Sequence, residues 1–174
     1  MPSAETGDSG PDRSWLLFAP TVFLAAFLVF QIQPLVGKRI LPWFGGTATV
    51  WAACLVVFQT LLLAGYAWAH WLDRFDARAQ VSVQLALLAL AATLPVLPRD
   101  TWQPAAGDDP LRRIALLLGA SVGLPFFALC ATGPLLQAWA WRVARGRSPY
   151  PLYAWSNAGS LLALLSYPFV FEPL

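Results

Sequence analysis

The stretch Gln31–Trp51, QIQPLVGKRILPWFGGTATVW, decides the fold because it joins two long apolar runs through a short polar connector. Glycine pairs favour chain reversals, and indole rings and basic side chains favour the headgroup layer of a membrane. The stretch therefore predicts a membrane hairpin. Its interfacial turn is predicted to contain Lys38, Arg39, Trp43, Gly45 and Gly46.

The composition indicates a membrane protein. The chain has 174 residues, of which 58% are hydrophobic and only 11% are charged, and its mean hydropathy is +0.59. Soluble domains carry roughly 25% charged residues. The net charge is +2 and the charges lie in connectors, so the sequence does not support nucleic-acid binding. We therefore predict an all-α, multi-pass membrane protein.

Five apolar runs are long enough, or nearly so, for the roughly 20 residues of a spanning helix. The fourth contains Pro125 and Pro134 and is predicted to be kinked, tilted or broken. Residues 1–14 are polar and net acidic and are predicted to form a disordered tail. The predicted membrane domain covers residues 15–174, with spans at 15–36, 47–71, 80–97, 111–141 and 152–171.

The tryptophans and basic residues bear on the placement in the membrane. All nine tryptophans lie in connectors or within about a turn of a predicted span end, as expected for the headgroup layer. With five spans, six Lys and Arg residues lie on the side of the N-terminus and five on the other side. This small excess predicts a cytoplasmic N-terminus by the positive-inside rule.

Several polar side chains lie within the predicted spans. Uncharged amides in a membrane need protein or water partners, so these residues either bond between helices or line a polar site. Gln59, Tyr66 and His70 share one face of the second span by their spacing. His70 is also a proton-relay candidate, although a relay needs further ionisable partners. The candidates are Gln31, Gln33, Gln59, His70 and Asn157.

A small-residue motif lies in the fourth span. Gly119 and Gly123 form a G-x-x-x-G pattern, which allows two helix backbones to approach closely. The pattern predicts close packing, either within the chain or between two copies.

Motifs of catalysis are absent from the sequence. No predicted span has a central Asp, Glu, Lys or Arg, and Cys54 and Cys130 lie in apolar runs without metal-ligand spacing. Nucleotide loops, nucleophile elbows and metal-ligand motifs are not found either. We therefore predict no catalytic residue, no cofactor, no metal and no enzymatic activity of the chain itself.

Two blocks of sequence carry a family resemblance. The block QPLVGKRILPWFGGTATVW (33–51), continuing through CLVVFQTLLLAGYAWAH (54–70), resembles the N-terminal membrane region of bacterial fused MFS/spermidine synthase-like proteins. The second block is PYPLYAWSNAGSLLALLSYPFVFEP, at 149–173. The resemblance implies a partly MFS-like helical bundle in the bacterial cytoplasmic membrane.

The resemblance also implies a function. In that family the membrane region precedes a cytoplasmic aminopropyltransferase-like domain, whose nucleotide loop and acidic residues are not in this sequence. The first hypothesis is therefore a membrane anchor or scaffold for a synthase-like domain or partner subunit. The alternative is a transporter-like half-domain that moves a small organic solute after forming a homo-oligomer.

Overall fold

The computed structural model describes residues 14–105, 107–143 and 150–173, and these ranges contain helices but no strand. The predicted disordered tail therefore lies outside the described residues, except for Ser14. Three short helical turns lie at Leu41–Phe44 (3-10), Asp100–Trp102 (3-10) and Tyr167–Phe171 (π). The α-helices are α1 (Ser14–Ile40), α2 (Ala48–Leu72), α3 (Ala77–Ala92), α4 (Pro110–Ser121), α5 (Gly123–Val143) and α6 (Tyr150–Ser166).

Helix α1 is longer than predicted, because it continues through Pro34 to Ile40. A proline inside a helix removes one backbone hydrogen bond, here the bond to the Phe30 carbonyl. Beyond it, Val36 and Ile40 are fully buried in the core, and this burial outweighs the lost bond. Lys38 and Arg39 thus form the last turn of α1, where basic groups complement the helix dipole.

The hairpin turn reverses the chain at its two glycines. Gly45 has φ 88° and Gly46 has φ 62°, a region that residues with a Cβ adopt at a cost. The Gly46 N–H donates to the Leu41 carbonyl at 2.9 Å. Helix α2 then begins after Thr47, whose hydroxyl accepts from the Val50 N–H at 3.3 Å.

Helix α3 begins and ends earlier than the predicted span at 80–97. It starts after Asp76, whose carboxylate accepts from the Ala79 N–H at 3.2 Å as an N-cap. It ends at Ala92, three residues before Pro95. Because the residue preceding a proline disfavours helical backbone angles, the helix ends before the prolines rather than at them.

The predicted fourth span is two helices. Helices α4 and α5 meet at Val122 with a bend of 66°. Pro125 has no N–H for the Ser121 carbonyl, and its ring would clash there if α4 continued. In the last turn of α4, the Ser121 hydroxyl donates to the Leu117 carbonyl at 2.7 Å. Pro134, by contrast, lies inside α5.

The last predicted span, 152–171, begins two residues earlier and changes its winding. Helix α6 ends at Ser166 and continues as the π-helical turn Tyr167–Phe171. Pro168 cannot donate to the Leu164 carbonyl, so the α-helical pattern is interrupted there.

Two helices are long and apolar enough to cross a membrane, at Leu17–Phe44 and Ala48–Leu72. The bent pair α4 and α5 would be a third if it forms one crossing. Helices α3 and α6 have 16 and 17 residues, fewer than the roughly 20 of a typical span. The protein is thus an all-helical membrane protein with two or three spanning helices by length and composition, and the five-span, MFS-like bundle stays a prediction.

The helices pack around α5. Helix α5 contacts α1, α2 and α3, while α6 packs along α1 and α4 packs on α2. A Cβ at Gly159 of α6 would lie 2.4 Å from the Phe23 carbonyl oxygen of α1, and a Cβ at Gly65 of α2 would lie 2.7 Å from the Cys130 Cβ of α5. These two glycines therefore allow the closest helix approaches in the bundle. The main core contains Ile32, Val36, Ile40, Val50, Cys54, Phe58, Ile114, Leu117, Leu118, Val122 and Phe126.

Candidate functional site

A polar cleft of about 480 Å³ lies among α1, α2, α5 and α6. This volume is within the range of small-molecule sites, roughly 300–1,000 Å³. Helices α1 and α5 pack against each other, with α6 on α1 and α2 on α5, so α2 and α6 form opposite walls. The polar lining consists of Gln33, Gln59, Tyr66, Gln137, Tyr153, Ser156 and Asn157.

Helical periodicity brings these side chains together. On α1 the lining residues Val22, Ala26, Val29 and Gln33 are spaced by three or four residues, so they share one face. The lining residues of the other three helices follow the same spacing. They are Gln59, Leu62 and Tyr66 on α2; Leu129, Cys130, Gly133, Pro134 and Gln137 on α5; and Tyr153, Ser156 and Asn157 on α6.

The amides of the cleft have no partner in the described part of the chain. The side chains of Gln33, Gln59, Gln137 and Asn157 make no hydrogen bond there. Gln33 and Gln137 are half-buried, and Gln59 and Asn157 are exposed. Within a membrane an amide without a partner is unfavourable. These groups therefore require water, a solute or another protein in the cleft.

Two prolines interrupt the backbone hydrogen bonds of residues that line the same cleft. Pro34 and Pro134 cannot donate to the carbonyls four residues earlier, which belong to Phe30 and Cys130. Phe30, Cys130 and Pro134 all line the cleft. Carbonyls that lose their helical donor are available for other donors.

Gln31 lies outside the cleft although it is two residues from Gln33. It is buried between α1 and α6, and its Nε2 donates to the Ala163 carbonyl at 2.9 Å and to the Ser166 hydroxyl at 3.0 Å. Gln84 does the same between α3 and α5, where it donates to the Ala128 carbonyl and to the Thr132 hydroxyl, both at 3.0 Å. These two glutamines hold helices together.

The structure thus separates the predicted polar residues. It brings Gln33, Gln59 and Asn157 to the cleft, whereas Gln31 bonds between helices. His70 is exposed near the end of α2, one helical turn beyond Tyr66, and is not part of the cleft lining. Sequence reasoning missed Gln137, Tyr153 and Ser156, and used Tyr66 only for its shared helix face. Gln137 follows Gly133 and Pro134 at helical spacing, a signal that could have indicated it.

The predicted hairpin residues lie at one end of the bundle and are bonded there. The Lys38 ammonium donates to the Glu172 carbonyl oxygen. Arg39 pairs with Asp100 at 2.7 Å and lies 5.4 Å from the ring centre of Trp43, a cation–π distance.

The opposite end of the bundle is also held by polar contacts. Arg142 at the end of α5 pairs with Asp73 and donates to the Gln80 Oε1 at 3.1 Å. The Trp139 indole N–H donates to the same oxygen at 2.5 Å. This network joins α5 to Asp73 in the connector after α2 and to Gln80 in the first turn of α3.

The predicted packing motif of Gly119 and Gly123 does not bring two helices of this chain together. The two glycines lie on different helices because the break at Val122 separates them. A Cβ at Gly119 would have no atom within 4 Å, and at Gly123 it would be in ordinary contact with Leu118 and Leu61. Gly65 and Gly159 provide the close approaches instead.

Within the described ranges, no group of three or more His, Cys, Asp or Glu residues could hold a metal ion. No protein-family model, curated protein or solved structure matches the chain. The proposal for the function rests on the chemistry of the polar cleft.

Proposed function

We propose that this chain is an integral membrane module that holds a small polar solute in the cleft among α1, α2, α5 and α6. The observation behind the proposal is the set of amides at Gln33, Gln59, Gln137 and Asn157, which converge on one cavity without partners in the described chain. By contrast, the Nε2 of Gln31, which joins α1 to α6, donates to two groups of α6. Four amides without protein partners can bind a ligand or a row of water molecules.

The proposal includes five membrane crossings, with α4 and α5 as one broken crossing. The ion pair Arg39–Asp100 and the ion pair Arg142–Asp73 lie at opposite ends of the bundle, and the apolar helices between them leave the cleft at intermediate depth. In this proposal the chain is a transporter-like half-domain, and a second copy supplies the other half.

Thiol labelling in proteoliposomes tests whether the cleft admits solutes. In a background of Cys54→Ala and Cys130→Ala, Ser156→Cys places a thiol in the cleft, and Ser160→Cys places a matched thiol one helical turn further along α6, outside the cleft lining. We expect a small water-soluble methanethiosulfonate to label the Ser156→Cys variant at least 10-fold faster. Equal rates for the two variants would mean that water and solutes do not enter.

The anchor role implied by the family resemblance is a second proposal. It is favoured by the network of Arg142, Asp73, Gln80 and Trp139, which fixes the end of the bundle that faces the cytoplasm in the predicted orientation. A fixed end of this kind could present a synthase-like subunit.

Co-purification in mild detergent from the native bacterium, followed by mass spectrometry, tests this second role. We expect a synthase-like subunit to be recovered, and to be lost with the Arg142→Gln variant. Recovery of the membrane chain alone would contradict the anchor role and leave the solute-binding proposal in place.

A further inference from the structure

We infer that the solute of the cleft is an uncharged polyhydroxylated molecule, of the size of a mono- or disaccharide. This inference rests on the proposed function and specifies its ligand. It depends on three properties of the cleft: the charge of its lining, the pairing of its donors with acceptors, and its apolar surface.

The lining carries no charge. Among the described residues that form the cleft there is no Asp, Glu, Lys, Arg or His. At the ends of the bundle, two pairs of charged side chains are bonded to each other, Arg39–Asp100 and Arg142–Asp73. A charged ligand at membrane depth without a counter-charge is strongly unfavourable, so the cleft selects a neutral ligand.

The polar groups combine donors with acceptors. Each primary amide places two N–H donors and one carbonyl acceptor in a single plane, and the cleft holds four such amides. A pair of neighbouring hydroxyls matches this arrangement, because one hydroxyl accepts from the amide N–H while the other donates to its carbonyl. The hydroxyls of Tyr66, Tyr153 and Ser156 add groups that both donate and accept.

Two lining residues have a backbone carbonyl that can accept from an O–H or N–H donor. The carbonyls of Phe30 and Cys130 lack their helical donor because of Pro34 and Pro134. A ligand that only accepts hydrogen bonds would leave these carbonyls unmatched. A polyol donates from every hydroxyl and can match both these carbonyls and the amides.

The rest of the lining is apolar and suits the carbon face of a sugar ring. Val29, Leu62 and Leu129 line the cleft beside the aromatic rings of Phe30, Tyr66 and Tyr153. Tyrosine presents an apolar ring and a polar tip, so it can contact ring carbons and hydroxyls of the same ligand. A purely polar ion would leave this surface unfilled.

Protection of the Ser156→Cys thiol from labelling tests the ligand class. Neutral probes are sucrose, maltose and sorbitol; charged probes are spermidine, glutamate and glucose 6-phosphate. We expect at least one neutral probe to slow labelling at least fivefold in a saturable manner, and the charged probes to have no effect. The Ser160→Cys variant controls for general effects of added sugars and should not respond.

The outcomes separate the inference from the proposed function. Fast labelling that only a charged probe slows would overturn the neutral polyol and keep a solute site. Fast labelling that no probe slows would also overturn the polyol. Slow labelling together with a disulfide between the introduced thiols of two chains would overturn both, because a second copy would then occupy the cleft.

A second variant keeps the test independent of the thiol. Gln59 is exposed in the cleft, and no described group bonds its side chain, so Gln59→Leu removes an amide without disturbing helix contacts. We expect the neutral-probe concentration that gives half-maximal protection to rise at least 10-fold in a variant that carries both Gln59→Leu and Ser156→Cys. Unchanged protection would place the ligand elsewhere.

Discussion

Gln31 and Gln33 lie two residues apart on the same helix and have opposite environments. Gln31 points into the seam between α1 and α6 and bonds to Ala163 and Ser166, whereas Gln33 points into the cleft and bonds to nothing in the described chain. The helix seams are closely packed, and the amide N–H groups of Gln31 and Gln84 bond across them. The cleft is where the same helices diverge, and its amides are free for a ligand.

The largest effect should come from adding a methyl group to a seam. The Cβ of Gly159→Ala would lie 2.4 Å from the Phe23 carbonyl oxygen, so α1 and α6 must separate, and we expect a loss of about 3 kcal/mol in the free energy of unfolding. Denaturant unfolding in detergent micelles measures it. Gly119→Ala is the matched control, because no atom lies within 4 Å of its Cβ and alanine favours a helix by up to about 1 kcal/mol. Similar stabilities of the two variants would contradict the packing difference between seam and open surface.

A smaller effect should distinguish the two glutamines of α1. Gln31→Leu removes two hydrogen bonds across the seam and should lower the free energy of unfolding by about 1 kcal/mol, the size measured for such bonds in membranes. Gln33→Leu removes none and should leave it unchanged within about 0.5 kcal/mol. If the two losses were equal, seam and cleft amides would not differ in their contribution to stability.

A single hydroxyl of a seam should contribute less still. Thr132→Val keeps the shape of the side chain and removes the acceptor for Gln84, which retains its bond to the Ala128 carbonyl. We expect a loss of about 0.6 kcal/mol, measured by the same unfolding assay. Ser156→Ala in the cleft is the comparison, and its loss should be below that value.

The smallest effect on stability, together with the largest effect on ligand binding, should come from replacing an amide of the cleft. Gln59→Leu should change the free energy of unfolding by less than about 0.5 kcal/mol, because no described group bonds to this amide. The same variant should lose the protection by neutral solutes described above. A clear loss of stability would show instead that the cleft amides hold the bundle together.

Local signals in the sequence predicted part of this structure. The reversal at Gly45–Gly46 follows from their positive φ angles, which depend on the residues themselves. The prolines of the fourth run indicated an interruption, and the bend of 66° lies just before Pro125. Helix α1 continues past residue 36, the predicted end of the first span, because Val36 and Ile40 are buried against distant helices, which no local pattern contains.

The division of the polar residues depends on tertiary structure. A helical wheel places Gln31 and Gln33 on different faces of α1 but cannot say which face meets α6. Gln84 and Gln137 are both glutamines on apolar helices. Gln84 bonds to another helix only because α3 packs against α5, and the sequence does not contain this information. The G-x-x-x-G pattern gives no close helix contact within this chain for a similar reason, because the break at Val122 separates its two glycines, and packing between two copies stays a prediction.

The seam between α1 and α6 also has a consequence for biosynthesis. The partners of Gln31 lie 132 and 135 residues further along the chain, so α1 enters the membrane long before they exist. At a synthesis rate of about 5–20 residues per second, the wait is roughly 7–26 s. During that interval the Gln31 amide needs a temporary partner, either water in the insertion channel or an earlier helix. Contacts of such high sequence separation form slowly, and the docking of α6 on α1 is therefore expected to be later than the packing of α1 on α2.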